Sequence, residues 1–353
     1  MIDIAILGFG TVGSGVAEVL DAQRERVRQA AGDDIRVKYI LDIRDFPGSP
    51  YADRVVRDMN VILEDPDVKA VCETMGGKEP AFAFTRAALE RGKSVCTSNK
   101  ELVDAFGPEL VQTAGAHGCS YLFEASVGGG IPILRTLRDS CRHEELTSVV
   151  GILNGTCNYI LTKMDREGMD FADALRQAQE NGFAERSPDA DVKGHDTARK
   201  LAILASLISG RRVRYEQVPC EGITEVSPED LLRARKTGRA VKLLGICGRD
   251  PAAGTLSVMA APCLVPQDNP LYGVNDVFNG ILVHGNCVGD LMFYGRGAGK
   301  LPTASAVAAD VVECVKNPGR TVEAGLPAPG AEITPVPFTG PLPGGIERLR
   351  RGA

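Results

Sequence analysis

Ile2-Asp3-Ile4-Ala5-Ile6-Leu7-Gly8-Phe9-Gly10-Thr11-Val12-Gly13 opens the chain, and its reading decides the fold of everything up to about residue 134. A short apolar strand runs straight into a G-x-G-x-x-G turn. Apolar residues then recur at helical steps in Val12, Val16, Val19, Leu20 and Val27, as in one long helix. The glycine spacing means little alone; a strand before it and a helix after it give it meaning. Gly8 permits the tight turn, Gly10 lets the backbone approach a pyrophosphate, and Gly13 lets helix and strand pack closely. The helix start, with Thr11 and Val12, then faces the phosphates with free N–H groups and a favourable dipole. The stretch therefore predicts a dinucleotide-binding βαβ unit.

Outward from it, Val37 to Leu41 reads as the second strand, with Asp42, Ile43 and Arg44 at its end. An acid there holds the ribose 2′-hydroxyl of NAD, whereas an arginine accepts the 2′-phosphate of NADP. Asp42 and Arg44 lie on the same side of an extended chain, so the choice stays open, tilted to NADP by the basic Arg54 and Arg57 that follow. Further strands are read at Ala70–Thr74, Ser94–Thr97 and Cys119–Ala125, with a helix over Pro80–Arg91 between the first two. Ligands in such sheets bind outside the carboxyl ends of the strands. That rule singles out Thr74, Gly76 and Gly77, then Ser98 and Lys100, then the loop from Glu124 to Gly130.

After Ile133 the texture changes. Asn154-Gly155-Thr156-Cys157-Asn158-Tyr159 is a polar turn opening a helix. Further on comes Asn181 to Leu204, N-G-F-A-E-R-S-P-D-A-D-V-K-G-H-D-T-A-R-K-L-A-I-L. Its second half is helical, so Asp196 and Lys200 share a face one turn apart; Glu185, Asp189 and Asp191 precede it on a loop. Acids around one lysine suit a site that binds a charged amine and moves a proton. An ordinary solvated helix start would look the same in isolation. Residues 241–246 and 256–260 resemble antiparallel strands, and 281–283 with 291–294 a hairpin across Gly285-Asn286. The fold class is α/β: an N-terminal Rossmann domain over residues 1–134, joined by a returning segment 292–316. A second, α+β domain on a mixed sheet spans 135–291 and serves catalysis and dimerisation. Residues 317–353, rich in glycine and proline without periodicity, read as a tail that packs weakly or not at all.

The chain's 353 residues, 44% hydrophobic and 24% charged, are ordinary for a globular protein of two domains. A net charge of −6 argues against a nucleic-acid partner, and no apolar run approaches a membrane span. The ten cysteines lie at wide intervals without C-x-x-C. This suits buried free thiols in a reducing cytoplasm rather than a metal–thiolate site.

Six motifs in order resemble the homoserine dehydrogenase family. They are G-F-G-T-V-G at the start, T-S-N-K-E at 97–101, E-A-S-V-G-G-G-I-P-I at 124–133 and G-I-L-N-G-T-C-N-Y-I at 151–160. G-F-A-E-R-S-P-D-A-D-V-K-G-H-D-T-A-R-K-L from Gly182 and G-R-G-A-G-K-L-P-T-A-S-A-V from Gly295 complete the set. The resemblance covers roughly Ile2 to Lys316 and implies interconversion of L-homoserine and L-aspartate 4-semialdehyde with NAD(P)H, in threonine, methionine and isoleucine synthesis. It implies that Lys200 is the proton donor and Lys100 a second active-site lysine. Glu185 would take the substrate's amino group, with Asp191, Asp196 and Thr156 lining the same pocket. It further implies a monovalent-cation site, usually sodium, at Glu124, Val127, Gly129 and Ile131, a cofactor-closing loop at Gly297, Ala298 and Gly299, and a homodimer. The sequence departs from many relatives in Ser126 and the three glycines at 128–130. The resemblance implies the short form of the family, without kinase or regulatory domain. Two rival readings are an oxidoreductase of another amino-acid carbonyl and a non-catalytic dinucleotide sensor; the second would dispense with Lys200, Glu185 or Asp191.

Overall fold

A computed structural model describes residues 1–316 and 325–349. It divides into two compact units, Met1–Arg135 with Ala298–Gly330, and Thr136–Gly297 with Ala331–Ala353. The first unit begins β1 (Ile2–Leu7), α1 (Thr11–Ala22), α2 (Arg24–Ala31) and β2 (Ile35–Leu41). It continues β3 (Val55–Val56), α3 (Met59–Leu63), β4 (Val68–Glu73), α4 (Ala81–Glu90), β5 (Ser94–Thr97), α5 (Lys100–Ala116), β6 (Tyr121–Leu122) and α6 (Ile133–Arg135). Its strands pair in parallel in the order β3-β2-β1-β4-β5-β6. The order reverses between β1 and β4, where a doubly wound sheet opens its ligand crevice. The strands read as apolar runs because both faces are covered: Ile4, Ala5, Ile6, Val71 and Val95 are wholly buried. Where the periodicity suggests one long first helix, the structure turns at Gln23 (φ −110°, ψ 22°) and starts α2. The expected strand over 119–125 shrinks to Tyr121–Leu122, because a turn of 3₁₀ helix takes over at Glu124.

The second unit holds β7 (Leu146–Ile152), α7 (Gly155–Glu167), α8 (Phe171–Glu180), α9 (Asp189–Val192), α10 (His195–Ser209) and α11 (Pro228–Lys236). The long strands β8 (Arg239–Asp250) and β9 (Thr255–Pro266) follow, then the hairpin β10 (Phe278–Gly285) and β11 (Gly289–Arg296). The chain then returns to the first unit as α12 (Lys300–Lys316), which packs on α1 where Gly15 leaves no room for a Cβ beside Ala304. The second sheet, β11-β10-β7-β8-β9 and then the short β12 (Glu347–Arg348), pairs antiparallel throughout instead of being mixed. Its twelve-residue β8 and β9 form one long ladder that the sequence shows only in part. Helices α7, α10 and α11 lie on it. Gly245 on β8 lets α10 approach closely, since a Cβ there would stand 3.3 Å from Thr197 Cγ2 and 3.4 Å from Leu201 Cβ.

Two boundaries differ from the sequence reading. Residues 292–296 belong to the second sheet, because β11 pairs with β10 along its whole length. The tail packs: Ile333 and Val336 donate to the carbonyls of Arg212 and Leu256. Phe338 and Leu342 pack against the sheet's apolar cluster around Ile246 and Met259, and β12 (Glu347–Arg348) extends the sheet beside β9. The apolar residues of this segment are too sparse to show a period, yet Ile346 and Leu349 are buried. Residues 317–324 and 350–353 of the expected tail lie outside the described residues.

The second core also encloses a lysine. Lys242 on β8 is 3% exposed and donates to Val274 O, to Asn275 Oδ1 at 3.0 Å and to Asn158 Oδ1 at 3.4 Å. Burial, helped by Arg166, pushes its ammonium down from 10.5 to about 8. Between those two values the unfolded chain holds more protons than the folded one. The cost of enclosing the charge is therefore present below the lower value and vanishes above the upper one. Lys242's contribution is expected to make stability rise with pH across that window, and Lys242→Met to flatten the rise, as read from urea midpoints along a pH series.

Candidate active site

The first unit carries a nucleotide-shaped turn. Gly8 adopts a left-handed φ of 85° at the end of β1. A Cβ on Gly13 would stand 2.0 Å from the Gly8 carbonyl oxygen and 2.8 Å from Thr74 Oγ1. The Thr74 hydroxyl donates to the carbonyls of Gly8 (2.7 Å) and Leu7 (3.1 Å), tying β4 to β1 where the strand order reverses. Gly10 is the N-cap of α1 and has no side chain to cap with. The first bond inside the helix runs from Ser14 N–H to Gly10 O. The preceding amides of Thr11, Val12 and Gly13 are thus the donors a pyrophosphate would take.

At the end of β2, Asp42 and Arg44 hold each other instead of both facing a ribose. The Asp42 carboxylate accepts the Phe9 N–H at 2.7 Å, the Arg44 N–H at 2.9 Å and the Arg44 guanidinium at 2.9 and 3.0 Å. These bonds, led by the guanidinium, hold its acid down at about 2. Its side chain is 5% exposed against 58% for Arg44. The acid therefore steadies the glycine turn from inside, while the arginine offers the outward positive edge.

The ends of β4 and β5 are locked by an acid that the sequence reading passes over. Glu73 is fully buried and accepts the Thr97 hydroxyl at 2.6 Å and the Met75 N–H at 2.9 Å; burial pushes its carboxyl up. Gly76 and Gly77 follow, exposed and both left-handed. Asn99 donates to Gly77 O at 2.6 Å and caps α5 by accepting from Glu101 and Leu102 N–H. Ser98 and Lys100 flank it, Lys100 being the first residue of α5. Glu124, also buried, accepts the N–H groups of Leu134 (2.9 Å) and Arg135 (2.6 Å). Burial and the charge of Asp310 push its acid up to about 7.

The second unit gathers the proposed proton-handling residues. Lys200, 9% exposed on α10, donates to the Leu153 carbonyl at 2.8 Å and to Asp196 Oδ2 at 2.7 Å. The same Asp196 oxygen accepts Asn154 Nδ2 at 2.8 Å, and Asn154 also donates to Asp191 Oδ1 at 2.7 Å. Thr156 donates to Phe183 O at 2.6 Å, joining the start of α7 to the loop that carries Glu185. Glu185 itself is exposed, and only its carbonyl has a described bond, to Gln179. Gly297 is tight against Asn279, whose Nδ2 would lie 1.9 Å from an added Cβ. Asp191, Asp196 and Lys200 thus form one connected set, with Asn154 and the Leu153 carbonyl as the members the sequence reading missed, while Thr156 bonds apart from it to Phe183 O. The only signal for Asn154 was a polar residue ahead of a helix, which marks a cap and not a bridge.

Family comparison adds to this geometry. The profile described as homoserine dehydrogenase matches residues 132–312, and that described as its NAD-binding domain matches 8–124. A homoserine dehydrogenase of Synechocystis is 44% identical over 320 residues, covering 89% of this chain and 73% of its own. The crystal structure of a homoserine dehydrogenase from Thiobacillus denitrificans superposes with a TM-score of 0.85 at 37% identity, covering 89% of this chain and 73% of that one. A hyperthermophilic archaeal homoserine dehydrogenase, solved in complex with NADPH, gives 0.75 at 26% identity, covering 89% and 97%.

Because the Gly13 Cα faces a backbone carbonyl that cannot retreat, Gly13→Ala is expected to cost about 1–3 kcal/mol of stability. It should also abolish detectable NAD(P)H binding, as read by thermal melting and by quenching of cofactor fluorescence.

Proposed function

The chain belongs to the homoserine dehydrogenase family, and from that premise we propose which of its residues do the work. It catalyses the NAD(P)-dependent interconversion of L-homoserine and L-aspartate 4-semialdehyde, a step toward threonine, methionine and isoleucine. When bound, the nicotinamide supplies or takes up the hydride. Lys200 gives the aldehyde oxygen its proton as negative charge develops there, and in the other direction its neutral amine takes the hydroxyl proton. The observation that carries this role is the set of bonds on its ammonium. Two of the three N–H donors are fixed by Leu153 O and Asp196, which leaves one to aim at a substrate oxygen. Asp196 orients the amine. Glu185 and Asp191 take the substrate's ammonium with Thr156 beside them, and Lys100 takes its carboxylate.

The cofactor is assigned to Gly8, Gly10, Thr11, Val12, Gly13, Thr74, Gly76, Gly77, Ser98, Lys100 and Gly297, with NADP preferred through Arg44. The exposed guanidinium supports that preference, as does the relative solved with NADPH. Sodium or a similar monovalent cation is assigned to the Glu124 carboxylate and the carbonyls of Val127, Gly129 and Ile131. Among the described residues no cluster of three His, Cys, Asp or Glu side chains could hold a metal, so backbone oxygens have to contribute. The donors are hard oxygens of the kind such ions take, and a cation beside the buried Glu124 would keep it ionised. The Ile131 carbonyl also accepts the Ile133 N–H, so it would be shared. A homodimer through the second sheet fits the edge strand β11, with half-buried Leu291, Met292 and Phe293 and an exposed Tyr294. A cytoplasmic setting suits the ten free thiols.

Lys200→Ala is expected to lower kcat by roughly 10²–10⁴-fold with cofactor Kd unchanged, in an assay of NAD(P)H formation from homoserine. Wild-type turnover in that variant would remove the proton-donor role. Arg44→Ala is expected to raise KM for NADP by about tenfold or more, the equivalent of a lost charged hydrogen bond, and to leave KM for NAD nearly unchanged. Equal effects on both cofactors would overturn the NADP preference.

A further inference from the structure

We propose that Asn154 is a positioning residue for proton transfer, its single carboxamide clamping Asp191 and Asp196 and so fixing the carboxylate that orients Lys200. The proposal rests on Lys200 acting as the proton donor.

Asn154 is 5% exposed, and both its Nδ2 protons and its Oδ1 are engaged. Nδ2 donates to Asp191 Oδ1 at 2.7 Å and to Asp196 Oδ2 at 2.8 Å, and Oδ1 accepts the Cys157 N–H at 2.8 Å. These three partners fix which way the amide points. A flipped amide would set its oxygen against two carboxylates and its nitrogen against an N–H. The two acids sit on different elements, Asp191 in α9 and Asp196 in the first turn of α10, and Gly194 between them takes a left-handed φ of 82°. Like charges placed this close repel, and the shared NH₂ group offsets the repulsion with two charge-assisted bonds. Asp196 Oδ2 accepts from both Asn154 and Lys200, so its rotamer, and the direction of the ammonium, depend on Asn154. Asp191 is further anchored by its carbonyl, which accepts the Cys157 thiol at 3.1 Å. The start of α7 is in this way tied to the proton donor on α10.

Capping and clamping can be separated. Serine caps helices as well as asparagine does, but one hydroxyl proton cannot bond two carboxylates. In the full-length protein, Asn154→Ser is expected to keep a single cooperative melt and the NADPH Kd while kcat falls roughly tenfold to a hundredfold, the scale of a misplaced catalytic group. The primary deuterium isotope effect on kcat, with homoserine deuterated at its hydroxyl-bearing carbon, is expected to grow as the chemical step becomes limiting. Asn154→Asp, which also caps, adds a third carboxylate. It should lose more activity and regain part of it toward acid pH, where a protonated carboxyl can donate again. Wild-type kcat and isotope effect in Asn154→Ser, alongside an inactive Lys200→Ala, would overturn the clamp and leave the proton donor standing. Full activity in Lys200→Ala would overturn both.

Discussion

One carboxylate oxygen, Asp196 Oδ2, carries the chemistry of the second unit, because it is the charged acceptor on a buried ammonium. Lys200 is 9% exposed and Asp196 3%. Removing either charge from water costs several kcal/mol unless the pair is close and its remaining valences are met. Here Asp196 and the Leu153 carbonyl meet all but one of the ammonium's donors, and the Asn154 amide bonds the carboxylate from the other side. Such a pair adds little net stability. Its value is directional, since the fixed bonds leave the ammonium's last donor with a defined heading. A solvated lysine at the same helical position would have the same charge and no heading, which is the ordinary surface pair that the i,i+4 spacing alone suggests.

Helix starts do different work in the two units, and the N-cap residue decides which. At α1 the cap is Gly10, so no side chain competes for the first-turn amides and they remain for an anionic ligand. At α5 and α7 the caps are Asn99 and Asn154, whose oxygens satisfy first-turn N–H groups and whose nitrogens reach outward to Gly77 O and to the two acids. An asparagine cap is therefore a bracket between a helix and something distant in sequence. Serine or threonine would satisfy the helix as well and hold nothing beyond it.

That difference explains what could be read in the sequence. The first unit was legible because its signals are local: strand, glycine turn and helix all lie between Ile2 and Ala22, and the βα alternation repeats. Lys200 and Asp196 were legible as a pair because helical spacing places them together. What binds them to Asn154 spans 37 and 42 residues, and no period in the chain reports such a contact. Asp42 misled for a related reason. Extended geometry puts it on the same side as Arg44, but only the folded turn brings the Phe9 N–H within 2.7 Å and draws the carboxylate inward. The segment after residue 330 was misread because few, irregular apolar residues suffice when a sheet face is waiting for them. Phe338 fits where Gly248 has no Cβ.

Buried acids recur in the first unit, two of them at the carboxyl end of a strand or on the loop beyond it and a third on the helix that packs behind. Glu73 closes β4 by accepting from Met75 and Thr97, and Glu124 follows β6 and accepts from Leu134 and Arg135. Asp310, fully enclosed on α12, accepts the Glu124 N–H and the Arg135 guanidinium. Burial drives all three acids upward, Asp310 to about 6. Apolar side chains would fill the same space more cheaply, but they could not hold backbone N–H groups of irregular loops, which burial would otherwise leave unpaired at about 1–3 kcal/mol each. A doubly wound sheet has to present its ligand through such loops. Acids whose charge is costly to bury are the price of loops that stay in one shape.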